Sequence, residues 1–388
     1  MRNVEIIAAA STLRGLAYSS IWVYSSIFMH VSLHIPLLLV GVVFAAGGAV
    51  SGVMQIYGGI ISDRIGYRIT ILFSLSLLCT LYALPVLDHD LLLSPLFFPP
   101  MLVLLMLGNS IQSPASNALV SLSSDVKLKG FSILRIGNNI GWGIGPAVGG
   151  FILSYYPFSS LFVLGLSMSI IALSISYFLR ESERKAGRTF SLHTDNRMLI
   201  MLSVVALMLF MVQAQETVTL SNYAKIIRDI PYYQLGIIYL TNGLTVVASQ
   251  PFLFRVSKRL GNFVSYSLGT LLYSAGYLSY AIDVSLLGFI ISTVMLTFGE
   301  DLAFPTSITM VSNASKPENI GRNMGIYNAF LSIGRSIGPI IGGSAFTVTS
   351  SPLVIWALST LSGFTSLPLF LAYFSRKRGV LDGDAHIT

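Results

Sequence analysis

Charge is scarce in this chain. Only 10% of its 388 residues are Asp, Glu, Lys or Arg, against about 25% in an ordinary soluble domain. So little charge cannot clothe a surface that faces water, which excludes a soluble globule. Cysteine is nearly absent: Cys79 stands alone in an apolar run, so disulfides and thiolate metal sites are excluded. The five histidines are scattered, and no His/Glu or His/Cys spacing suits a metal. No Walker loop is present, so ATP is not the energy source. No catalytic residue, metal or cofactor is expected. What the chain has instead is apolar length: 54% of its residues are hydrophobic and its mean hydropathy is +0.76. Apolar stretches of about 18 residues or more recur along it, the mark of membrane helices.

Twelve such spans are predicted, at roughly 4–32, 35–62, 68–87, 93–122, 128–155, 158–179, 197–222, 232–257, 263–283, 285–312, 322–349 and 352–375. The runs are continuous, without the alternation of barrel strands, so helices are the spanning form. The polar stretch 180–197 reads as a cytoplasmic linker between an N-terminal six-helix bundle, 1–179, and a C-terminal one, 198–388, that ends in a short tail. The expected fold is therefore an all-α membrane protein of twelve transmembrane helices in two pseudo-symmetric six-helix bundles.

The net charge of +7 invites a nucleic-acid reading, which the distribution of that charge removes. With the N-terminus in the cytoplasm, 18 of the 23 basic residues fall in cytoplasmic segments and only Lys225 and Arg228 in outer loops. Arg14, Arg135 and Arg335 fall inside spans. This positive-inside bias puts both termini in the cytoplasm of a multi-pass cell-membrane protein, with its basic loops on lipid headgroups.

The chain also repeats itself. Shifted by 195 residues, Pro36, Gly41, Gly48, Gln55, Ser62, Arg64 and Gly66 fall on Pro231, Gly236, Gly243, Gln250, Ser257, Arg259 and Gly261. These are seven identities in 31 ungapped positions, where chance gives roughly two. With shifts of 191 to 193, Gly108 and Pro114 meet Gly299 and Pro305. At the same shifts Gly141, Gly145, Pro146, Gly149 and Gly150 meet Gly334, Gly338, Pro339, Gly342 and Gly343.

Two motifs stand out. After the second span, the run Gly59-Ile-Ile-Ser-Asp63-Arg64-Ile-Gly66-Tyr67-Arg68 resembles the loop signature of the major facilitator superfamily, with Tyr67 where a basic residue is usual. The resemblance implies that Asp63 helps to latch a cytoplasmic gate. Asp63 would face the positive end of a helix dipole near 321–323, and Asp125 would pair with Arg64 or Arg68. The second copy carries Lys258 in place of the acid, so only the first should latch strongly. In the fifth span, Gly141-x-x-x-Gly145-Pro146-x-x-Gly149-Gly150 resembles the signature of the superfamily's exporters, although the eleventh span carries it too. Glycines four apart let helix backbones touch, and the proline bends the helix. Parallel repeats about an axis along the membrane normal are the arrangement of this superfamily's two halves.

Six ionisable residues lie inside spans: Arg14, Arg135, Glu216, Glu300, Asp301 and Arg335. Charge is costly there, so each is a functional candidate. The resembling fold lines its cavity with the first, fourth, seventh and tenth helices, which carry Arg14; Asn109 and Gln112; Gln213 and Glu216; and Glu300. Arg135, Asn138 and Asn139 form a polar stripe with Trp142 on the fifth. Glu300 shares a polar face with Thr293 and Thr297, whereas Asp301 shares an apolar one. At ~1.5 Å per residue, Asp301 lies about 17 Å and Arg335 about 20 Å from the cytoplasmic ends. A buried Asp301–Arg335 ion pair is expected from this matched depth.

The expected protein is a monomeric secondary transporter that works by alternating access, coupled to protons and exporting small molecules. The alternative is the same fold carrying a sugar or organic anion on Arg14 and Arg135. A non-transporting membrane sensor is the third reading. Reporter fusions at Arg188 and at both termini should all report the cytoplasm, and an outside signal at Arg188 would overturn this topology.

Overall fold

A computed structural model of the chain describes residues 2–124, 127–181, 196–315 and 320–382. The described residues are nearly all helical. In chain order the long helices are α1 Arg2–Ile27, α2 Leu37–Ile65, α3 Tyr67–Leu87, α4 Phe98–Ser123, α5 Lys127–Tyr155, α6 Ser159–Ser176 and α7 Arg197–Gln213. The continuous element Tyr232–Ser279 breaks at Gly261, whose φ is 77°, into α8 (232–260) and α9 (262–279). Then follow α10 Leu286–Asn313, α11 Ile320–Val348 and α12 Pro352–Phe374. Among the described residues, eight helical stretches have the length and hydropathy to cross a bilayer, Tyr232–Ser279 counting as one. α4, α5 and α11 are as long but more polar. Helices dominate because lipid offers the backbone no hydrogen-bond partner, and a helix satisfies its own amides and carbonyls.

The repeat is written into the backbone. α1 runs into a π-helical turn at Phe28–Ser32, and the segment after α7 has one at Tyr223–Ile227, 195 residues later. His34 and Asp229, also 195 apart, are the described non-glycine residues with positive φ, at 54° and 48°. Ile35 N donates to Met29 O and Ile230 N to Ala224 O, both at 2.9 Å. Gly66 and Gly261 both turn the chain at positive φ, a conformation that costs glycine nothing.

The chain gathers into two compact units. The first holds 1–36, 46–188 and 221–243, and the second holds 37–45, 189–220 and 244–388. In the first unit the core packs Val4, Ile7 and Ala10 of α1 against Tyr67, Ile71 and Leu75 of α3 and Ala115 and Leu119 of α4. The tightest seam joins α1 to α5. A methyl on Gly137 or Gly145 would sit 2.7 or 2.8 Å from the carbonyl oxygens of Ala8 and Leu16, and one on Gly141 would strike that of Thr12. The carbonyls step by four residues on α1 as the glycines step by four on α5. The second unit repeats the seam with α7 and α11: a methyl on Gly338 would lie 2.5 Å from Met211 O, and one on Gly334 would strike Leu207 O. Lipid tails supply no hydrophobic drive between helices, so close backbone packing of this kind contributes to their cohesion.

Other glycines of the same helices meet 221–243 in the first unit and 37–45 in the second. Gly150 of α5 meets the carbonyl of Tyr232 in the first unit, and Gly343 of α11 meets that of Leu37 in the second. Gly141→Leu should destabilise the purified protein by about 1–3 kcal/mol or more, through overpacking against backbone that cannot yield. Gly143→Ala should be nearly neutral, because its new methyl meets nothing closer than 3.9 Å. Thermal unfolding in detergent checks both, and equal effects would remove the seam as a source of stability.

Candidate functional site

Each unit carries its own polar cluster within apolar helices. In the first unit Arg14 is the centre. Its Nη1 donates to Asn109 Oδ1 at 2.7 Å, and Asn109 Nδ2 donates to Leu105 O at 2.9 Å on its own helix. The amide is thereby fixed with its oxygen towards the guanidinium. The phenols of Tyr18 and Tyr82 are the other titratable groups near Arg14. One turn beyond Arg14, the Tyr18 ring lies between two indoles, 5.2 Å from Trp22 and 5.6 Å from Trp142. Gln112 is buried on the Asn109 face of α4, and both of its amide atoms lack a partner. Arg135 and Asn139 are exposed on α5 and Asn138 is half-buried.

In the second unit α7 loses its regular form at Gln213. A 3₁₀ turn, Ala214–Glu216, follows, then the short turn Thr219–Asn222. Such mid-helix breaks often mark a hinge or a sequence under strain. Glu216 stands on this break and senses the charges of Glu300 and Arg335. Arg335 donates from Nε to Gln213 Oε1 at 3.2 Å and lies 4.8 Å over the Phe210 ring. Tyr273 and Tyr277 of α9 also sense Glu216. Tyr277 OH reaches Gln213 O at 3.4 Å, and the Phe210 and Phe304 rings stack at 4.6 Å.

Asp301 and Arg335, expected as a buried pair, each have another partner. Asp301 is buried, but its Oδ2 accepts from Ser249 of α8 at 2.5 Å. Arg335 turns instead to Gln213, Phe210 and the charge of Glu216. Asp301 reaches a serine of α8, and Arg335 reaches Gln213 of α7. The polar stripe that Glu300 shares with Thr293, Thr297 and Ser307 is engaged in packing. Thr293 lies 2.8 Å from the Tyr280 hydroxyl, and Ser307 accepts from Tyr327 at 2.6 Å.

The loop motif after α2 gains a partner that spacing did not reveal. Glu181, just past α6, accepts from Tyr67 N and Arg68 N at 3.0 Å each and so caps α3. A carboxylate on the first amides of a helix meets unpaired donors and the positive end of the dipole. Arg68 donates to Tyr177 O at 2.9 Å and lies 5.1 Å over its ring. Asp63 accepts from the Tyr67 hydroxyl at 3.1 Å, which gives the tyrosine at the unusual motif position a use. Asp125 lies outside the described residues. In the second unit Asp382 accepts from Asn262 N at 2.5 Å and Phe263 N at 3.2 Å, so it caps α9 as Glu181 caps α3.

Among the described residues no group of three His, Cys, Asp or Glu side chains could hold a metal. The described architecture, with buried charge inside a duplicated set of apolar helices, defines a multi-pass membrane protein of the transporter class. The sequence pattern of the Major Facilitator Superfamily matches residues 7–282 and 205–386. The chain belongs to that superfamily and is a membrane transporter, not an enzyme. It is 25% identical over 363 residues to the uncharacterized MFS-type transporter YttB of Bacillus subtilis (strain 168), covering 88% of each chain. Its fold is similar to crystal structures of the nucleoside transporter NupG and the peptide transporter POT. NupG gives a TM-score of 0.79 at 13% identity, with 96% of this chain and 100% of that one covered. POT gives 0.79 at 15%, with 98% and 95% covered.

Ser249→Ala should lower thermal stability by about 1.5–3 kcal/mol, the worth of a hydrogen bond to a charge, and Asp301→Asn by at least as much. The exchange Asp301→Arg with Arg335→Asp should recover nothing over the single variants. Recovery in a melting assay would restore the ion pair.

Proposed function

We propose that this chain is a proton-coupled secondary transporter that moves small molecules by alternating access, in the exporting direction, across the cell membrane. The observation that carries the proposal is the second unit's cluster. Glu216 senses the like charge of Glu300 and the opposite charge of Arg335, and it stands on the broken turn of α7. Two carboxylates near one guanidinium leave negative charge to be neutralised in an apolar setting, and a proton does so without a counter-ion. A hinge at the same residue couples that proton to a change in helix geometry.

In this reading the long helices make twelve spans with both ends in the cytoplasm. The two six-helix halves are joined by the 180–197 linker, and one chain completes the cycle alone. The Asp63 loop latches the cytoplasmic side, and its copy with Lys258 does so weakly.

In proteoliposomes loaded with a pH-sensitive dye, a panel of small molecules should include compounds that drive proton movement. Glu216→Gln and Glu300→Gln should each reduce that coupled flux by about a hundredfold or more, as loss of a proton-transferring group does, while insertion and melting stay near wild type. Coupled flux that survives both substitutions would remove the proton role.

A further inference from the structure

The first unit holds a charge that its own residues do not answer. Arg14 stands about 18 Å along α1, at ~1.5 Å per residue. Its neighbours are the neutral amide of Asn109 and the hydroxyls of Tyr18 and Tyr82. Its Nε is buried and has no hydrogen-bond partner. The described acids of this unit, Glu5, Asp63, Asp88, Asp90, Glu181 and Asp229, all sit near helix ends or in loops. Arg335 in the other unit, by contrast, senses Glu216. A guanidinium kept in an apolar bundle without a carboxylate is costly. It is also set for use, because Asn109 is locked to Leu105 O and holds the guanidinium by one edge. Arginine presents a planar fork that matches a carboxylate or sulfonate.

What surrounds the fork selects the rest of the ligand. Tyr18 and Trp22 follow Arg14 at successive turns of α1, and the Trp142 ring of α5 meets Tyr18 edge-on at 68°. An aromatic wall therefore begins one helical turn along α1 from Arg14, a backbone rise of ~6 Å. A small aryl acid carries its charge and its ring this close together, so one molecule can reach both the fork and the wall. Rings favour such offset and edge-on partners. Arg135, two turns along α5 from Trp142, adds a second exposed cation on this stripe.

We infer that Arg14, Asn109 and the Tyr18–Trp22–Trp142 wall form a recognition site for aromatic anions, so that the transported substrates include flat molecules bearing a carboxylate or sulfonate. This rests on the transport reading given above and narrows its substrate class. A neutral sugar would leave the charge of Arg14 unanswered, and a cation would be repelled by it.

The chain has three tryptophans, Trp22, Trp142 and Trp356. In Trp356→Phe protein the emission comes from the two beside this site. 4-Nitrobenzoate should quench it saturably, and 4-nitrobenzylammonium, of the same shape and opposite charge, should bind about tenfold more weakly or worse. Arg14→Gln should weaken nitrobenzoate binding by about tenfold or more, Arg14→Lys by less, and Asn109→Ala by an intermediate amount. If Arg14→Gln does not fold, the Lys and Asn109 variants decide. Equal affinity for the two probes, or nitrobenzoate binding unchanged in the Arg14 and Asn109 variants, would overturn the site. Proton movement that depends on Glu216 and is driven by cationic compounds, without nitrobenzoate binding, would sink the anion site and leave the transporter reading intact.

Discussion

The close contact of α5 with α1, and of α11 with α7, sets the frame for everything else. Glycine replaces side chain with backbone at each step, so carbonyls of one helix lie against Cα atoms of the next. Such a seam tolerates no rotation and no slip, because either would drive a side chain into backbone. Once α1 is fixed in azimuth, Arg14, Tyr18 and Trp22 have fixed directions, and Trp142 is delivered to Tyr18 from the same α5 that carries the glycines. Once α7 is fixed, the broken turn at Ala214–Glu216 lies beside α11, where Gln215 Nε2 donates to Gly338 O at 3.0 Å. Packing and chemistry are two faces of the same helices.

Much of this was legible in the sequence, for physical reasons. Long apolar runs name membrane helices because lipid leaves the backbone no other choice. The 195-residue repeat named Gly66 and Gly261 as equivalent, and both take the positive φ that ends a helix. Arg14, Asn109, Glu216 and Glu300 were found because charged and amide side chains stand out on apolar helices. What a helical wheel cannot tell is which neighbour a face will meet. Asp301 was rightly taken as buried, yet its partner Ser249 is an ordinary residue on a helix that depth alone did not select. Glu181 and Asp382 look like loop acids until the chain ends are folded back onto α3 and α9. The tyrosines at 18 and 82 carry no charge and so gave no signal beside Arg14.

The duplication preserved geometry and released chemistry. The π-turns, the positive φ values at His34 and Asp229 and the helix caps all recur. The polar side chains inside the helices do not. At the shifts that align the halves, Arg14 corresponds to Leu209, Asn109 to Glu300 and Trp142 to Arg335. Of the three equivalents one is apolar, one acidic and one basic, so the polar groups of the two units do not superpose.

The caps on α3 and α9 also order events in time. Tyr67 meets its capping carboxylate 114 residues further on, and Asn262 meets its own 120 residues further on. At about 5–20 residues per second of synthesis, the first amides of α3 wait on the order of 10 s for Glu181 to emerge. Until then that helix start has only water or lipid headgroups for partners. Each repeat therefore closes as a loop, its third helix tied last to its own tail, and the first repeat completes that tie before most of the second has left the ribosome.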